Sequence, residues 1–140
     1  MYNDFNKRRA IILQSANNLV NDETVCKTSQ FYYNNYCDDA IALEIEIKND
    51  KIVQVKTCAH GCTILKSATN LIANQILDKD LQDVKKLLSD YQKMLENQEI
   101  NLDLQDLNAL VNTKNHKNRL VCATLFSVAI REKIKEFEDG

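Results

Sequence analysis

The spacing of hydrophobic residues changes several times along the chain, and each change predicts a new element. Across residues 4–21 the apolar positions fit one face of an amphipathic helix. Apolar and polar residues then alternate over 41–48, which is typical of a half-buried strand. The turn-forming residues 49–50 separate this strand from a returning strand over 52–58. The first half of the chain is therefore expected to contain a helix followed by a β-hairpin.

Helical spacing returns after Cys62 and dominates the remaining sequence. The pattern predicts one helix as far as about Leu77 and a second over 81–95. Asp103 is expected to cap a shorter helix, and a final helix is expected to begin near Arg119. The second half of the chain is therefore predicted to be helical.

Residues 22–39 lack a clear period, and their polar and aromatic composition indicates a short strand or loop that ends in a turn. No internal repeat or linker interrupts the chain, so we expect a single domain over residues 1–140. The predicted fold class is α+β, in which a small antiparallel sheet of about three strands packs against roughly four to five helices.

Composition excludes several classes of protein. A net charge of −2 and a pI near 5.7 give no basic surface for nucleic acid. No apolar run reaches the length of a membrane span, and residues 1–9 lack the apolar centre of a secretory signal. We therefore expect a cytoplasmic protein with reduced thiols. The odd number of five cysteines also counts against a complete disulfide framework.

Three separated cysteines are the strongest indication of chemistry. They are Cys37, Cys62 and Cys122, and Asp39 lies two residues after the first of them. Three thiols and a carboxylate can form one four-coordinate metal site if the fold brings them together. The sequence therefore favours sulfur and metal chemistry.

The residues beside these cysteines add to this interpretation. Cys62 and Cys122 fall near predicted helix starts, where backbone N–H groups support a thiolate, and Arg119 adds positive charge near Cys122. Gly61, the only internal glycine, directly precedes Cys62. It provides either a close backbone approach or a plain strand-to-helix turn, and both interpretations remain open.

The remaining cysteines and histidines are harder to assign. Cys58 lies on the strand face opposite the two valines of its strand, which favours an ordinary strand position over a metal ligand. His60 is expected to donate a hydrogen bond to a ligand or to be an alternative ligand. Cys26 has no partner at a recognisable spacing. The aromatic residues 31–33 are either core or a contact surface near Cys37.

The order Cys-x-Asp at Cys37, Gly-Cys at Cys62 and Arg-x-x-Cys-Ala at Cys122 resembles the U-type iron–sulfur assembly family, also called NifU-like or IscU/SufU. Residues 99–117 match the position of the helical insertion of the SufU branch. Val121 stands where the IscU branch carries a histidine, which also points to SufU.

This resemblance implies a site and a set of partners. The implied metal ligands are Cys37, Asp39, Cys62 and Cys122. The implied partners are a pyridoxal phosphate-dependent cysteine desulfurase of the SufS type and, downstream, other iron–sulfur assembly proteins or apoproteins. The bound group is expected to be Zn²⁺, with a transient [2Fe–2S] cluster as the other possibility.

Two functions follow from such a site. The first is sulfur acceptance or cluster scaffolding as a sulfurtransferase-like partner rather than a stand-alone enzyme. Cys37 is the expected acceptor because it lies in a polar stretch without a helix dipole, where a freed thiolate is more nucleophilic. The second is a structural zinc module that binds a protein, although Asp39 as a ligand argues against it. A thiol oxidoreductase is disfavoured because no Cys-x-x-Cys occurs.

Overall fold

A computed structural model describes residues 2–34 and 38–140. Along these ranges the secondary structure consists of five α-helices, two 3-10 helices and three strands. In chain order they are α1 (Phe5–Asn18), α2 (Glu23–Thr28), β1 (Phe31–Tyr33), β2 (Ala40–Lys48), β3 (Lys51–His60), α3 (Thr63–Ile76), α4 (Leu81–Asn97), the 3-10 helices Leu102–Leu110 and Thr113–Asn115, and α5 (Lys117–Asp139). The predicted α+β class with a three-stranded antiparallel sheet is confirmed.

The sheet has the order β1-β2-β3 and presents two different faces. Because side chains alternate along a strand, Ile41 and Leu43 of β2 point into the main core, whereas Ala42 points to the other side. Ala42 pairs with Cys58 of β3, which therefore shares this second face. The predicted turn between the strands is confirmed, since residues 49–50 both adopt positive φ angles that Asn and Asp tolerate.

The main core forms where the helices cover the inner face of the sheet. Its largest fully buried side chains come from β2, β3, α3, α4, the first 3-10 helix and α5, and include Ile41, Ile52, Ile72, Leu88, Tyr91, Leu107 and Phe126. The Tyr91 hydroxyl donates a 2.7 Å hydrogen bond to the backbone oxygen of Ala123 and so joins α4 to α5. This core holds α3 and α5 beside one end of the sheet.

The outer face of the sheet is covered by α2, a helix that the sequence pattern does not predict. The side chain of Asp22 caps α2, and its backbone N–H donates to the Thr57 oxygen of β3. The amide of Asn21 bonds both the N–H and the oxygen of Ala59. These bonds fix the start of α2 against β3.

A disulfide joins Cys26 of α2 to Cys58 of β3. The expectation of reduced thiols and of an ordinary strand position for Cys58 is therefore wrong for this pair. The sequence separation of 32 residues carries no signal, because the pairing depends on α2 lying across the sheet. Cys58 lies opposite Val55, as predicted, since it packs with Val25 and Ala42 while Val55 packs on the main core. A register shift between Glu46 and Ile47 removes Val53 from the predicted alternation and turns Ile52 into the main core.

The segment over 102–110 also differs from expectation. It forms 3-10 turns on both sides of a kink at Gln105, where φ is positive. Asn101 is the cap, because its side chain accepts the Asp103 N–H, so Asp103 is not the cap. The buried amide of Asn108 bonds the backbone of Asn101 and Gln105. These bonds satisfy backbone groups that a regular α-helix would use. Among the helices of residues 2–34 and 38–140, none has the length and hydrophobicity needed to cross a bilayer.

Candidate metal centre

Three of the predicted site residues converge at one end of the sheet. Asp39 directly precedes β2, Cys62 directly precedes α3, and Cys122 lies in the second turn of α5. Their ligand atoms all lie within 4.8 Å of one another. The convergence follows from the strand register, because the pairing of Ala40 with His60 places Asp39 beside the β3–α3 junction. Cys37, the fourth predicted ligand, lies outside the described residues.

The Asp39 carboxylate is almost fully buried, with 1% of its surface exposed. One oxygen accepts the Cys62 N–H at 3.0 Å, and the other accepts the Asn34 side-chain amide at 3.1 Å. Within the described ranges, no Lys, Arg or His nitrogen lies within ion-pair distance of it. A buried carboxylate is costly without a compensating positive charge. Asp39 therefore fits a bound cation.

Gly61 makes the position of Asp39 possible. Its φ angle of +148° is one that residues with a side chain rarely adopt. A Cβ atom at this position would lie 2.9 Å from Cγ of Asp39. Two interpretations of Gly61 were open from the sequence, and the structure favours the close approach of the backbone to a functional side chain.

Cys62 is the N-cap of α3, as the sequence predicts for a helix start. The residue is half-buried, and its sulfur accepts the Leu65 N–H at 3.4 Å and lies 3.6 Å from an Asp39 oxygen. The helix start thus gives this sulfur a hydrogen-bond donor that supports negative charge.

Cys122 is 2% exposed and does not sit in the first turn of its helix. Because α5 begins at Lys117 rather than near Arg119, Cys122 lies one turn further in, where the N-terminal dipole has little effect. The expected support from a helix start is therefore wrong for this cysteine. Arg119 is exposed on the same helix and lines the groove described below.

Asn34 is a site residue that sequence reasoning missed. Its amide nitrogen lies 3.1 Å from an Asp39 oxygen and 4.0 Å from the Cys122 sulfur. In the sequence it reads only as part of a polar turn after the aromatic residues. No local sequence pattern could identify Asn34 as a donor, because its acceptors, Asp39 and Cys122, lie in other parts of the chain.

His60 does not join the three clustered residues. Strand alternation turns it to the outer face of the sheet, and its Nε2 atom lies 3.3 Å from the Cys58 sulfur. Its expected role as a donor or alternative ligand beside Asp39 is therefore wrong in this structure. His60 belongs instead with Cys26 and Cys58.

An open groove of about 640 Å³ gives access to the cluster. Both Cys62 and Cys122 are among the residues that line it, so the cluster adjoins a solvent-connected space. The other lining residues combine apolar and basic side chains, among them Phe5, Leu13, Arg8, Arg9, His116 and Arg119. Two sulfurs and a carboxylate at the end of such a groove can bind a soft metal ion and exchange ligands with a partner.

Comparison with known proteins gives a consistent set of relatives. A profile of the family described as "NifU-like N terminal domain" matches residues 16–139. The chain is 26% identical over 101 residues to the "Iron-sulfur cluster assembly scaffold protein IscU" of Streptococcus pyogenes serotype M1. This match covers 71% of the chain and 64% of the relative, so it spans less than two thirds of that relative's length.

Solved structures share the fold. The SufU "putative iron-sulfur cluster assembly scaffold protein" of Fervidobacterium islandicum AW-1 has a TM-score of 0.70 at 25% identity, covering 82% of this chain and 87% of its own. A hypothetical protein has a TM-score of 0.81 at 21% identity, covering 93% and 98%. A NifU-like protein (N-terminal) of Brucella abortus has a TM-score of 0.79 at 12% identity, covering 97% and 99%. The last two likenesses concern the fold alone.

Proposed function

Because the chain belongs to the NifU-like N-terminal domain family, we propose that it acts in iron–sulfur cluster assembly, as a single unit over residues 1–140. The observation that carries this proposal is the convergence of Asp39, Cys62 and Cys122 within 4.8 Å. A relative named as a cluster assembly scaffold supports it. Cys37 completes the ligand set on sequence grounds, since it precedes Asp39 by two residues.

The donor set favours a centre that holds its group firmly and can still open. Cysteine sulfurs suit zinc and iron, whereas a carboxylate is the harder and more easily exchanged ligand. Hydrogen bonds from Asn34 and the Cys62 backbone hold Asp39 in place when it is not coordinating. A cluster would be cargo built here and passed on. Zinc, when resident, would keep the sulfurs as thiolates.

Sulfur acceptance is the finer part of the proposal. The Cys37 thiolate attacks the outer sulfur of a persulfide on a cysteine desulfurase, so that a new S–S bond forms at Cys37. The S–S bond on the desulfurase breaks, and its cysteine leaves as a thiolate. The sulfane sulfur keeps its oxidation state, and no external reductant is needed. Of the residues that would hold a metal ion, Asp39 is the one expected to detach most readily, which would open the site to the partner without unfolding it.

The groove gives a SufS-type desulfurase a route to the site. Its exposed Phe5 and Leu13 offer apolar contact area beside the basic side chains Arg8, Arg9 and Arg119. A partner segment with acidic and apolar residues would match this lining. We place the reaction in the cytoplasm, where glutathione and thioredoxin keep reactive thiols reduced.

The test is to incubate the protein with a pyridoxal phosphate-dependent cysteine desulfurase and cysteine, and to map added sulfur by peptide mass spectrometry. We expect the first persulfide on Cys37. The variant Cys37→Ser should carry no added sulfur. The control variant Cys26→Ser, which lacks one cysteine of the disulfide, should acquire sulfur on Cys37 as the unmodified chain does. Persulfide that appears first on Cys62 or Cys122, with Cys37 unmodified, would reject the assignment of the acceptor.

A further inference from the structure

A second cluster of metal-binding side chains lies on the outer face of the sheet. The ligand atoms of Cys26, Cys58 and His60 all lie within 4.8 Å of one another. None of these residues belongs to the Asp39 cluster. Strand alternation separates the two clusters, because Ala59 points to the main core while Cys58 and His60 point outward.

The fold holds this second cluster in place from three directions. Cys58 is fully buried in the longest strand pair of the sheet, opposite Ala42. The bonds of residues 21–22 to β3 hold α2 over it and so position Cys26. The His60 ring stacks on Phe31, with ring centroids 6.0 Å apart and planes inclined by 23°. Cys58 and His60 are therefore held in place by packing, and Cys26 is carried above them by α2.

We propose that Cys26, Cys58 and His60 form a second, redox-gated site for a thiophilic divalent metal ion such as Zn²⁺. In the disulfide form the two sulfurs are bonded to each other and offer no thiolate. A dithiol reductant breaks this bond, gives two electrons and two protons to the pair, and becomes a disulfide itself. Binding of the ion then releases the two thiol protons, and two thiolates and the His60 imidazole coordinate it.

The geometry of the elements suits this change. Tetrahedral zinc with Zn–S bonds of about 2.3 Å needs its two sulfurs roughly 3.8 Å apart, so the reduced sulfurs have to separate. Cys58 is fixed in the sheet, whereas Cys26 is a half-buried residue of a helix that is only six residues long. The movement therefore falls on Cys26. His60 is exposed, so the fourth coordination position opens to solvent.

The site accounts for a pair of cysteines that the proposed centre does not use. A disulfide in a chain expected among reduced thiols is expected to be opened by cellular dithiols. A buried dithiol beside an imidazole is then a soft ligand set of the kind that zinc selects. Metal capacity would follow the redox state, with one site available in the disulfide form and two after reduction.

The experiment compares zinc capacity before and after reduction. The full-length protein is treated with dithiothreitol, freed of it by gel filtration under argon, loaded with zinc alone and measured by native mass spectrometry. An untreated sample, in which peptide mapping shows the Cys26–Cys58 bond, is loaded in the same way. We expect the reduced sample to bind one more zinc ion per chain than the disulfide sample.

Three variants make the result specific. Cys26→Ser, at a half-buried position, should bind the same number of ions under both conditions while circular dichroism shows an unchanged fold. His60→Gln should lower the affinity for the additional zinc ion by at least about tenfold, because loss of a group that only supports a metal ligand already has an effect of this size. His116→Gln, the matched exposed histidine, should leave it unchanged. Equal zinc counts in reduced and disulfide protein, or an additional ion retained by Cys26→Ser, would overturn the proposal.

Discussion

At the scale of single residues, the candidate centre depends on a buried carboxylate held by few neighbours. Asp39 is 1% exposed, and its contacts come from Cys62 and Asn34 rather than from a basic side chain. Gly61 permits this arrangement because any Cβ would collide with the carboxylate. Asp39 is thus positioned to act as a ligand that can detach and return.

Replacement of Asp39 by Ala is expected to slow the loss of bound metal or cluster. The carboxylate is the most exchangeable donor of the set, so its removal leaves the more firmly bound sulfurs. The measurement is release to a coloured chelator over time, for protein loaded with zinc or with cluster. Asp38→Ala is the control, because this neighbouring carboxylate is exposed. Faster release from Asp39→Ala than from the control would show that Asp39 retains the group instead.

At the scale of elements, the site is built by two junctions and one helix turn. The register of β2 and β3 places Asp39 beside the start of α3, and packing of α5 on α3 brings Cys122 to them. The Tyr91 hydroxyl contributes to this packing from α4, since it bonds the backbone of the residue after Cys122. We therefore expect the candidate metal centre to respond to changes in helix packing outside it.

Replacement of Tyr91 by Phe is expected to reduce the free energy of unfolding by about 1 kcal/mol at neutral pH, because a buried hydrogen bond is lost. Burial raises the pKa of Tyr91 far above its ordinary value of about 10. The protonated phenol therefore stabilises the fold fully below about pH 10, and this contribution is lost as pH rises above the pKa of the unfolded state.

Urea unfolding at pH 8 and pH 11 checks both parts. The unmodified chain should lose more stability than Tyr91→Phe between the two pH values. Tyr33→Phe is the control, because Tyr33 is 70% exposed and should behave as the unmodified chain. An equal alkaline loss in all three proteins would assign the effect to groups other than Tyr91.

Elements with a sustained hydrophobic period were predictable, and short or capped ones were not. The β2–β3 hairpin and α3, α4 and α5 repeat their apolar positions over many residues. By contrast, α2 and β1 have six and three residues, too few to establish a period. The conformation of the segment over 102–110 depends on the side-chain amide of Asn108, whose hydrogen bonds to the backbone replace those of a regular helix.

The candidate site divides in the same way. The grouping of Asp39, Cys62 and Cys122 was expected from the resemblance to the U-type family, whose order of cysteine motifs this sequence shares. The role of Asn34 and the Cys26–Cys58 bond were not expected, since both depend on how separate elements pack in three dimensions. His60 shows the limit of sequence distance: two residues from Cys62, it lies on the opposite face of the sheet.

At the scale of the whole molecule, the fold has a main core of its own beside the candidate metal centre. The main core runs through the sheet and helices α3, α4 and α5 and contains large side chains such as Tyr91 and Phe126. The ligands lie at one end of this core rather than within it. A structural zinc module, in which the metal replaces a core, has a different architecture.

Removal of metal is therefore expected to leave the fold intact. After chelation, far-ultraviolet circular dichroism should keep its helical signal, and unfolding should remain cooperative at a moderately lower temperature. The control is the chelator added to protein that was never loaded. Loss of the helical signal on chelation, with recovery on zinc addition, would instead indicate a structural zinc module.

The most direct test of the proposed centre is the metal content of freshly purified Cys122→Ser compared with the unmodified chain, by elemental analysis and native mass spectrometry. The Cys26–Cys58 disulfide is kept intact in both, so that only the Asp39 cluster is measured. We expect one zinc ion or one [2Fe–2S] cluster per unmodified chain and a large loss in Cys122→Ser, while Cys26→Ser retains its content. Full metal retention by Cys122→Ser would remove this sulfur from the centre and contradict the proposed function.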